Sequence, residues 1–162
     1  SIKDLNPVFF GGIQNSLRYK NFSLDFLVQV VKQDNYRGMY LTGYPGSLGG
    51  QTPNVLDRWQ QPGDEASYQK YTSGRDIDFV LSYLRYNQSD AMITDASYIR
   101  LKNISLSYSL PQDILPGITG EFFLQGQNLL TITSYKGFDP ESIYISSLPP
   151  LQVFTTGVRF NF

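Results

Sequence analysis

Several residue types are missing or scarce in this chain of 162 residues. It has no cysteine and no histidine, and 17% of its residues are charged, against about 25% in an average soluble domain. The chain therefore has no disulfide framework, no zinc-thiolate site and no cysteine nucleophile, and it lacks the commonest general base. The formal net charge of -1 provides no broad basic surface, so we expect no nucleic-acid partner.

Long hydrophobic runs are also missing. The longest apolar stretches, such as Phe26-Leu27-Val28, are interrupted by polar residues and fall far short of the ~18 apolar residues that a membrane-spanning helix needs. The first residues, Ser1 to Leu5, lack the basic and then apolar pattern of a signal peptide. By length alone the chain would form one domain.

Aromatic residues are abundant, and the apolar side chains recur with a period of two. Tyr, Phe and Trp make up 15% of the chain. Between residues 22 and 31 the even positions are apolar and the odd positions are mixed to polar, which is typical of a half-buried strand. Residues 13–19 alternate in the same way. The two-residue loop Lys20-Asn21 between them predicts a hairpin in which Tyr19 pairs with Phe22.

The same alternation predicts five antiparallel strands, over residues 8–19, 22–34, 98–110, 118–129 and 152–162. Ile99 and Leu101 break the parity of the third strand, which either a β-bulge or a rise of the strand out of the apolar layer would explain. Short connections alternate with long loops at about 35–97 and 130–151. Outer-membrane barrels show this pattern, because their periplasmic turns are short and their extracellular loops are long. The sequence thus predicts an all-β fold, an antiparallel transmembrane β-barrel whose apolar face contacts outer-membrane lipid.

The last residues strengthen this interpretation. Gly157, Phe160 and Phe162 form a pattern that resembles the C-terminal signal read by the barrel assembly machinery of outer membranes. With Phe162 at the periplasmic interface, every short turn is periplasmic. Five strands cannot close a barrel, since the smallest such barrels have eight. We therefore expect the C-terminal part of a larger barrel. A secreted β-sandwich that binds carbohydrate is the alternative, because its strands would also alternate.

Six short blocks resemble, in order, motifs of the SusC/RagA-type TonB-dependent transporters. The two most specific are Gly126-Gln127-Asn128-Leu129-Leu130-Thr131 and Tyr135-Lys136-Gly137-Phe138-Asp139-Pro140-Glu141. The other four blocks are residues 6–12, 19–24, 57–64 and 96–103. Together they cover nearly the whole chain.

This resemblance implies the last five strands of a plugged barrel of about 22 strands. It implies a multi-pass protein in the outer membrane of a Gram-negative bacterium, importing glycans or oligopeptides. A SusD-like lipoprotein would cap the barrel, and a TonB complex would supply energy through a missing N-terminal part that includes the plug. The sequence contains no catalytic constellation, since it has no histidine and no serine paired with a base. We therefore expect no enzyme activity, no catalytic residue and no cofactor.

Two groups of side chains are candidates for contacts. Loop tyrosines could contact the substrate or the lid lipoprotein, or could instead attach the long loops to the barrel rim: Tyr36, Tyr40, Tyr44, Tyr68, Tyr71 and Tyr144. Polar residues facing the lumen could line the substrate path or contact the plug: Gln14, Arg18, Asp25, Gln29, Gln125 and Arg159. We favour plug contact for Arg18, Asp25 and Arg159, because the register places them in the periplasmic half.

Acidic residues in the loops offer weaker candidates. Four carboxylates between Asp76 and Asp95 could bind Ca²⁺, but their spacing does not match an EF-hand, and a solvated loop is the favoured interpretation. Asp139 and Glu141 could form an acid/base pair. Because they belong to a block shared with the family, a role in folding the loop is favoured. We predict no metal site.

Overall fold

The computed structural model describes residues 4–37, 43–51, 53–111, 113, 117–142 and 148–162. Five long strands are β1 Phe9–Tyr19, β2 Phe22–Lys32, β5 Tyr98–Ser109, β6 Thr119–Thr133 and β7 Val153–Asn161. They form one antiparallel sheet in the spatial order β1-β2-β5-β6-β7. A small ribbon of β3 (Asp34–Tyr36) and β4 (Ile93–Asp95) lies between β2 and β5 along the chain, together with helix α1 (Ile77–Asn87).

The strands lie close to the positions that the alternation predicts. The hairpin register is confirmed, because Tyr19 pairs with Phe22 and Ile13 with Val28. Two bounds differ by more than one residue. Strand β2 ends at Lys32, after which the chain continues as β3 and pairs with β4, and β6 continues to Thr133. The stretch expected to be one long loop therefore has secondary structure of its own.

Helix α1 begins where the sequence marks a start. Asp76 precedes it, and its carboxylate accepts a hydrogen bond from the backbone N–H of Asp78 at 3.2 Å, as an N-cap does. The helix ends at Asn87. No helix in the described part of the chain is long and apolar enough to span a membrane.

Of the two explanations for the broken parity, the structure shows the β-bulge in β5. Leu27 pairs with Asn103, whereas the next residue, Val28, pairs with Leu101. Lys102 is therefore an extra residue in the ladder. One inserted residue exchanges the faces of everything beyond it, because side chains in a strand alternate between the two faces. The two side chains that break the sequence parity thus return to the apolar face: Ile99 and Leu101.

One face of the sheet is a continuous apolar surface. Leu17, Leu24, Leu106 and Leu124 form a row across four neighbouring strands. A parallel row nearer the short turns is aromatic: Tyr19, Phe22, Tyr108 and Phe122. Within it, the rings of Phe22 and Tyr108 lie 4.7 Å apart. An apolar band edged by aromatic residues is typical of the outer surface of a transmembrane barrel.

This apolar surface is open to the surroundings. Leu17 is 54% exposed, Leu124 53% and Tyr19 72%. A soluble sandwich would bury these side chains against a second sheet. Among the described residues no second sheet covers them.

The buried residues lie elsewhere, mainly where the long connections meet the ends of β2 and β5. There Val31, Ala96, Tyr98 and Arg100 are all at most 4% exposed. Val31 pairs with Tyr98, and Arg100 follows on the same face as Tyr98. Because Ile99 between them lies on the apolar face, this core packs on the opposite, polar face of the sheet.

Candidate functional site

The polar face carries all six of the predicted lumen residues: Gln14, Arg18, Asp25, Gln29, Gln125 and Arg159. Several make local contacts. The Ser16 hydroxyl donates to Asp25, and Arg159 Nη1 lies 3.1 Å from Glu121 Oε2. Arg18 and Asp25 are exposed on this face. A contact of these residues with a plug stays a prediction.

Gly157, from the predicted assembly signal, also has a packing role on the polar face. It pairs directly with Phe123, whose ring lies across the glycine. A Cβ at position 157 would lie 2.6 Å from Phe123 Cζ. Arg159 also lies near this ring, with its guanidinium carbon 5.7 Å from the ring centre. The glycine thus makes room for an aromatic side chain, as in other aromatic–glycine pairs of sheets.

We expect Gly157→Ala to destabilise the protein by about 1–3 kcal/mol, because its methyl group overpacks against Phe123. Denaturant unfolding of the full-length receptor in lipid vesicles would measure the change. Adding Phe123→Leu should restore most of the lost stability, since the smaller side chain removes the clash. Unchanged stability in the single variant would contradict this packing role.

A segment that we call the strap, Tyr135–Ser142, follows β6 and folds back over the polar face. Its two carboxylates contact the Arg100 guanidinium. Arg100 Nη2 lies 2.5 Å from Asp139 Oδ2, and Nη1 lies 2.6 Å from Glu141 Oε2. Arg100 Nε also donates to Thr131 Oγ1 at 2.9 Å. One arginine therefore joins the strap to both β5 and β6.

The strap also reaches the far side of β5, at the end of β2. Gln33 Nε2 donates to the Pro140 carbonyl at 2.5 Å, and Asn35 Nδ2 donates to the Ser142 carbonyl at 3.0 Å. The Tyr135 hydroxyl donates to the Tyr36 carbonyl at 2.6 Å. Burial, reinforced by the nearby Asp139 charge, raises the pKa of Tyr135 above its usual value, so this hydroxyl stays protonated as a donor. The strap thus crosses the polar face from β6 to β3.

The charges beneath the strap balance each other. Lys102 Nζ lies 2.9 and 2.8 Å from the two carboxylate oxygens of Glu141, so two cations face two anions. The Arg100 side chain is 1% exposed and that of Asp139 is 11% exposed. A buried guanidinium is tolerated only when its donors are paired. The bulge supplies part of this pairing, because Lys102 is the extra residue in β5.

This geometry gives Asp139 and Glu141 a role in folding the loop. Both carboxylates are held by basic side chains, and neither is a free acid/base group. Sequence reasoning missed Arg100 and Lys102 as their partners. The sequence did contain a sign of this pairing. The family-like block 96–103 carries the basic residues Arg100 and Lys102, and the block 135–141 carries the acidic residues Asp139 and Glu141.

The loop tyrosines that the structure describes take part mostly in packing. Tyr44 and Tyr68 pack against a small cluster of Val55 and Tyr83, and the rings of Tyr44 and Tyr83 meet edge to face at 6.5 Å. The Arg58 guanidinium covers Tyr71, 3.9 Å from its ring centre. Tyr36 contributes its carbonyl to the strap. The predicted positions Tyr40 and Tyr144 lie outside the described residues. Whether any loop tyrosine contacts a substrate or a lid stays a prediction.

The family-like block 57–64 forms a tight turn. Its backbone returns to residue 68, since the Trp59 N–H donates to the Tyr68 carbonyl at 2.8 Å. At its tip, Asp64 accepts hydrogen bonds from the backbone N–H groups of Gln60 and Gln61 at 2.9 and 3.0 Å. The bond from Gln61 and then that from Gln60 hold the pKa of Asp64 below its usual value. Asp64 therefore acts as a turn-forming residue.

The other loop carboxylates also serve the backbone. Asp76 caps α1, and Asp95 accepts from the Ser97 N–H at 2.7 Å. The hydrogen bonds from the Ser97 side chain and backbone lower the pKa of Asp95. No group of three or more acidic side chains suited to a metal lies within the described part of the chain.

The fold defines a class. An antiparallel sheet with an exposed apolar face, an aromatic edge and a polar face covered by a loop is typical of the wall of an outer-membrane β-barrel. Five strands form one such sheet among the described residues, and they do not close into a barrel.

Comparison with known proteins agrees with this class. No family model matches the chain. It is 29% identical to TonB-dependent receptor P3 of Formosa agariphila over 99% of the chain, and 26% identical to TonB-dependent receptor SusC of Bacteroides thetaiotaomicron over 93%. Among solved structures, the RagAB peptide importer in its closed-closed state matches 96% of the chain with a TM-score of 0.72 and 25% identity. In the open-open state it matches 99% with a TM-score of 0.72 and 24% identity.

These matches confirm the family resemblance. The chain is a homologue of the SusC/RagA-type TonB-dependent receptors. It spans only 17% of the length of receptor P3 and 15% of that of SusC. It also spans 17% of the RagAB chain that it matches in the closed-closed state.

Proposed function

We propose that this chain forms part of the barrel wall of a TonB-dependent outer-membrane transporter that imports bulky nutrients, glycans or oligopeptides, together with a SusD-like surface lipoprotein. The observation that best supports this proposal is that the two faces of the sheet differ. The exposed apolar face is suited to contact with lipid, and the polar face is suited to an aqueous lumen. The relatives support the proposal, since two of them are TonB-dependent receptors and RagAB is described as a peptide importer.

The proposal assigns a direction to the sheet. The end with the tight turns faces the periplasm, and the insertion between β2 and β5 faces the outside of the cell. The aromatic row of Tyr19, Phe22, Tyr108 and Phe122 then lies at the periplasmic membrane interface. Arg18, Asp25 and Arg159 lie in the periplasmic half of the lumen, where we propose that they contact a plug. Charge reversals there that left both transport and plug retention unchanged would count against this contact.

Fractionation of the full-length protein tests the proposal. We expect it in the outer membrane, migrating anomalously on gels when unheated and co-purifying with a surface lipoprotein. The rival class, a secreted β-sandwich that binds carbohydrate, requires a folded 18.4 kDa monomer that needs no detergent. The exposed apolar face argues against that rival, because such a surface in water promotes aggregation.

We expect deletion of Phe162 to reduce the amount of receptor in the outer membrane to a small fraction of the wild-type level. The proposed reason is that the barrel assembly machinery reads this terminal aromatic residue, which is 97% exposed. Phe162→Tyr keeps an aromatic ring and is the matched control, with near wild-type amounts expected. Quantitative blotting of outer-membrane fractions would measure both variants. Normal assembly of the deletion variant would contradict the proposed signal.

A further inference from the structure

Lys20, in the tight turn between β1 and β2, carries its ammonium group at the edge of the apolar face. Its Nζ lies 5.5 Å from the centre of the Tyr19 ring, which is close enough for a cation–π contact. Tyr19 belongs to the aromatic row that edges the apolar face. In the proposed function this row lies at the periplasmic membrane interface, so the ammonium group lies at the level of the phospholipid headgroups.

The backbone of this turn is strained at Lys20 and anchored at the next residue. The φ of Lys20 is 53°, in the left-handed region that favours glycine, because a Cβ crowds the backbone there. Asn21 Nδ2 donates to the Ser109 carbonyl at 3.0 Å, and the Ser109 N–H donates to the Asn21 carbonyl at 2.9 Å. A lysine in a strained and anchored turn points to a use for its side chain.

A hollow of about 460 Å³ opens beside Lys20, at the rim of the sheet that carries the tight turns. Its polar lining comes from Arg18, Lys20, Asn21, Ser23, Ser109 and Glu121. The carboxylate in this lining, that of Glu121, pairs with Arg159. Among the described residues no carboxylate forms an ion pair with Arg18 or Lys20. The hollow therefore has two cations without an anionic partner, and it is suited to an anion.

The position of Lys20 favours one of two kinds of anion for this hollow. An acidic segment of a plug would approach from the polar face, which carries Arg18. A phospholipid would approach from the apolar face, with its acyl chains along the aromatic row and its phosphate at the rim. The Lys20 ammonium group lies near a ring of the apolar face, where a long basic side chain reaches from apolar surface to the headgroup layer. An ammonium group also forms strong, charge-assisted hydrogen bonds with phosphate oxygens.

We propose that the turn at Lys20 binds the phosphate of a phospholipid in the periplasmic leaflet of the outer membrane. Lys20 supplies the charge, and the hollow beside it accommodates the headgroup. The rings of Phe22 and Tyr108, which lie 4.7 Å apart, contact the acyl chains next to the headgroup. This inference rests on the proposed function, because the direction assigned to the sheet decides which leaflet the turn meets.

Photo-crosslinking of the full-length receptor tests the proposal. The receptor is reconstituted in vesicles of phosphatidylethanolamine and phosphatidylglycerol, with a trace of phosphatidylglycerol that carries a diazirine next to its glycerol backbone. Mass spectrometry of the labelled peptides then locates the lipid. We expect label on residues 17–24 of the wild type, and about fivefold less label in Lys20→Asn, as one lysine at a headgroup layer contributes. Asparagine tolerates the left-handed backbone, so this variant removes the charge and keeps the turn. Lys20→Arg should stay within about twofold of the wild type.

Two controls separate headgroup recognition from general contact with lipid. Lys32→Asn removes an exposed lysine at the opposite end of β2, which meets the other leaflet in the proposed function, and it should leave the label on residues 17–24 unchanged. A diacylglycerol with the same diazirine lacks the phosphate. We expect it to label these residues about fivefold less than phosphatidylglycerol does, and equally in the wild type and Lys20→Asn.

The remaining outcomes distinguish this inference from the proposed function. Equal labelling of the wild type and Lys20→Asn would overturn the role of Lys20, and equal labelling by the two lipids would overturn recognition of the phosphate. A carbodiimide that joined the Lys20 amine to a carboxylate of the N-terminal part would identify a plug segment as the occupant and overturn the lipid assignment. Absence of lipid label from the whole apolar face, in a receptor assembled in the outer membrane, would contradict the proposed function as well.

Discussion

Arg100→Met is expected to release the strap from the polar face of the sheet. The substitution leaves Asp139, whose side chain is 11% exposed, without its cationic partner, and Glu141 with Lys102 alone. Removing one partner of a buried ion pair costs about 3–5 kcal/mol, because the remaining charge is left uncompensated. We expect a protease to cut the strap in the full-length receptor at enzyme concentrations that leave the wild type intact. Mass spectrometry of the fragments would locate the cut between Tyr135 and Ser142.

Arg159→Met is the matched control, because Arg159 also pairs with a glutamate on the polar face. Its side chain is 61% exposed, against 1% for Arg100, and an exposed pair contributes only about 0–1 kcal/mol. This variant should therefore resist the protease as the wild type does. Equal resistance of Arg100→Met and wild type would show that the strap does not depend on the buried pair.

Leu106→Arg is expected to destabilise the receptor strongly in a lipid bilayer. Leu106 lies in the central strand β5 on the apolar face, between Leu24 of β2 and Leu124 of β6. An arginine on the lipid-facing side of a barrel costs about 2–4 kcal/mol at the bilayer midplane and less toward the interfaces. Denaturant unfolding of the full-length receptor in vesicles would measure the change.

The neighbouring position provides the control for this prediction. Ser107 lies one residue further along the same strand and pairs with Ser23 and Phe123 on the polar face. Ser107→Arg should therefore cost much less than Leu106→Arg, although both add the same charge at nearly the same depth. Comparable losses for the two variants would contradict the assignment of the faces.

The alternation of the sequence was sufficient to predict the five-stranded antiparallel sheet. Side-chain periodicity indicates the strand positions, the β1–β2 register and the bulge at Lys102. It can do so because periodicity depends only on residues that are close together in the sequence. The bulge was visible because Ile99 and Leu101 broke the parity, and one inserted residue is the simplest way to restore it. The family-like blocks added the class of protein, which periodicity alone could not separate from a soluble sandwich.

The strap could not be predicted in the same way. It depends on contacts between residues far apart in the chain, such as Arg100 with Asp139, which are 39 positions apart, and Gln33 with Pro140, which are 107 apart. Periodicity carries no information on such pairings. Membership of a family-like block favoured a role in folding the loop for Asp139 and Glu141, but it did not identify Arg100 and Lys102 as their partners. The β3–β4 ribbon was missed for a related reason, since each of its strands has only three residues.

The central claim is that the two faces of this sheet meet lipid on one side and an aqueous lumen on the other. Spin labels on single cysteines at Leu24 and at Ser23, in the full-length receptor reconstituted in vesicles, test it most directly. This part of the protein contains no natural cysteine. The spin label therefore reacts only with the introduced cysteine within these residues. We predict that oxygen, which concentrates in lipid, relaxes the label at position 24, and that a water-soluble nickel complex relaxes the label at position 23. Equal access of the nickel complex to both labels, or the reverse pattern, would contradict the claim.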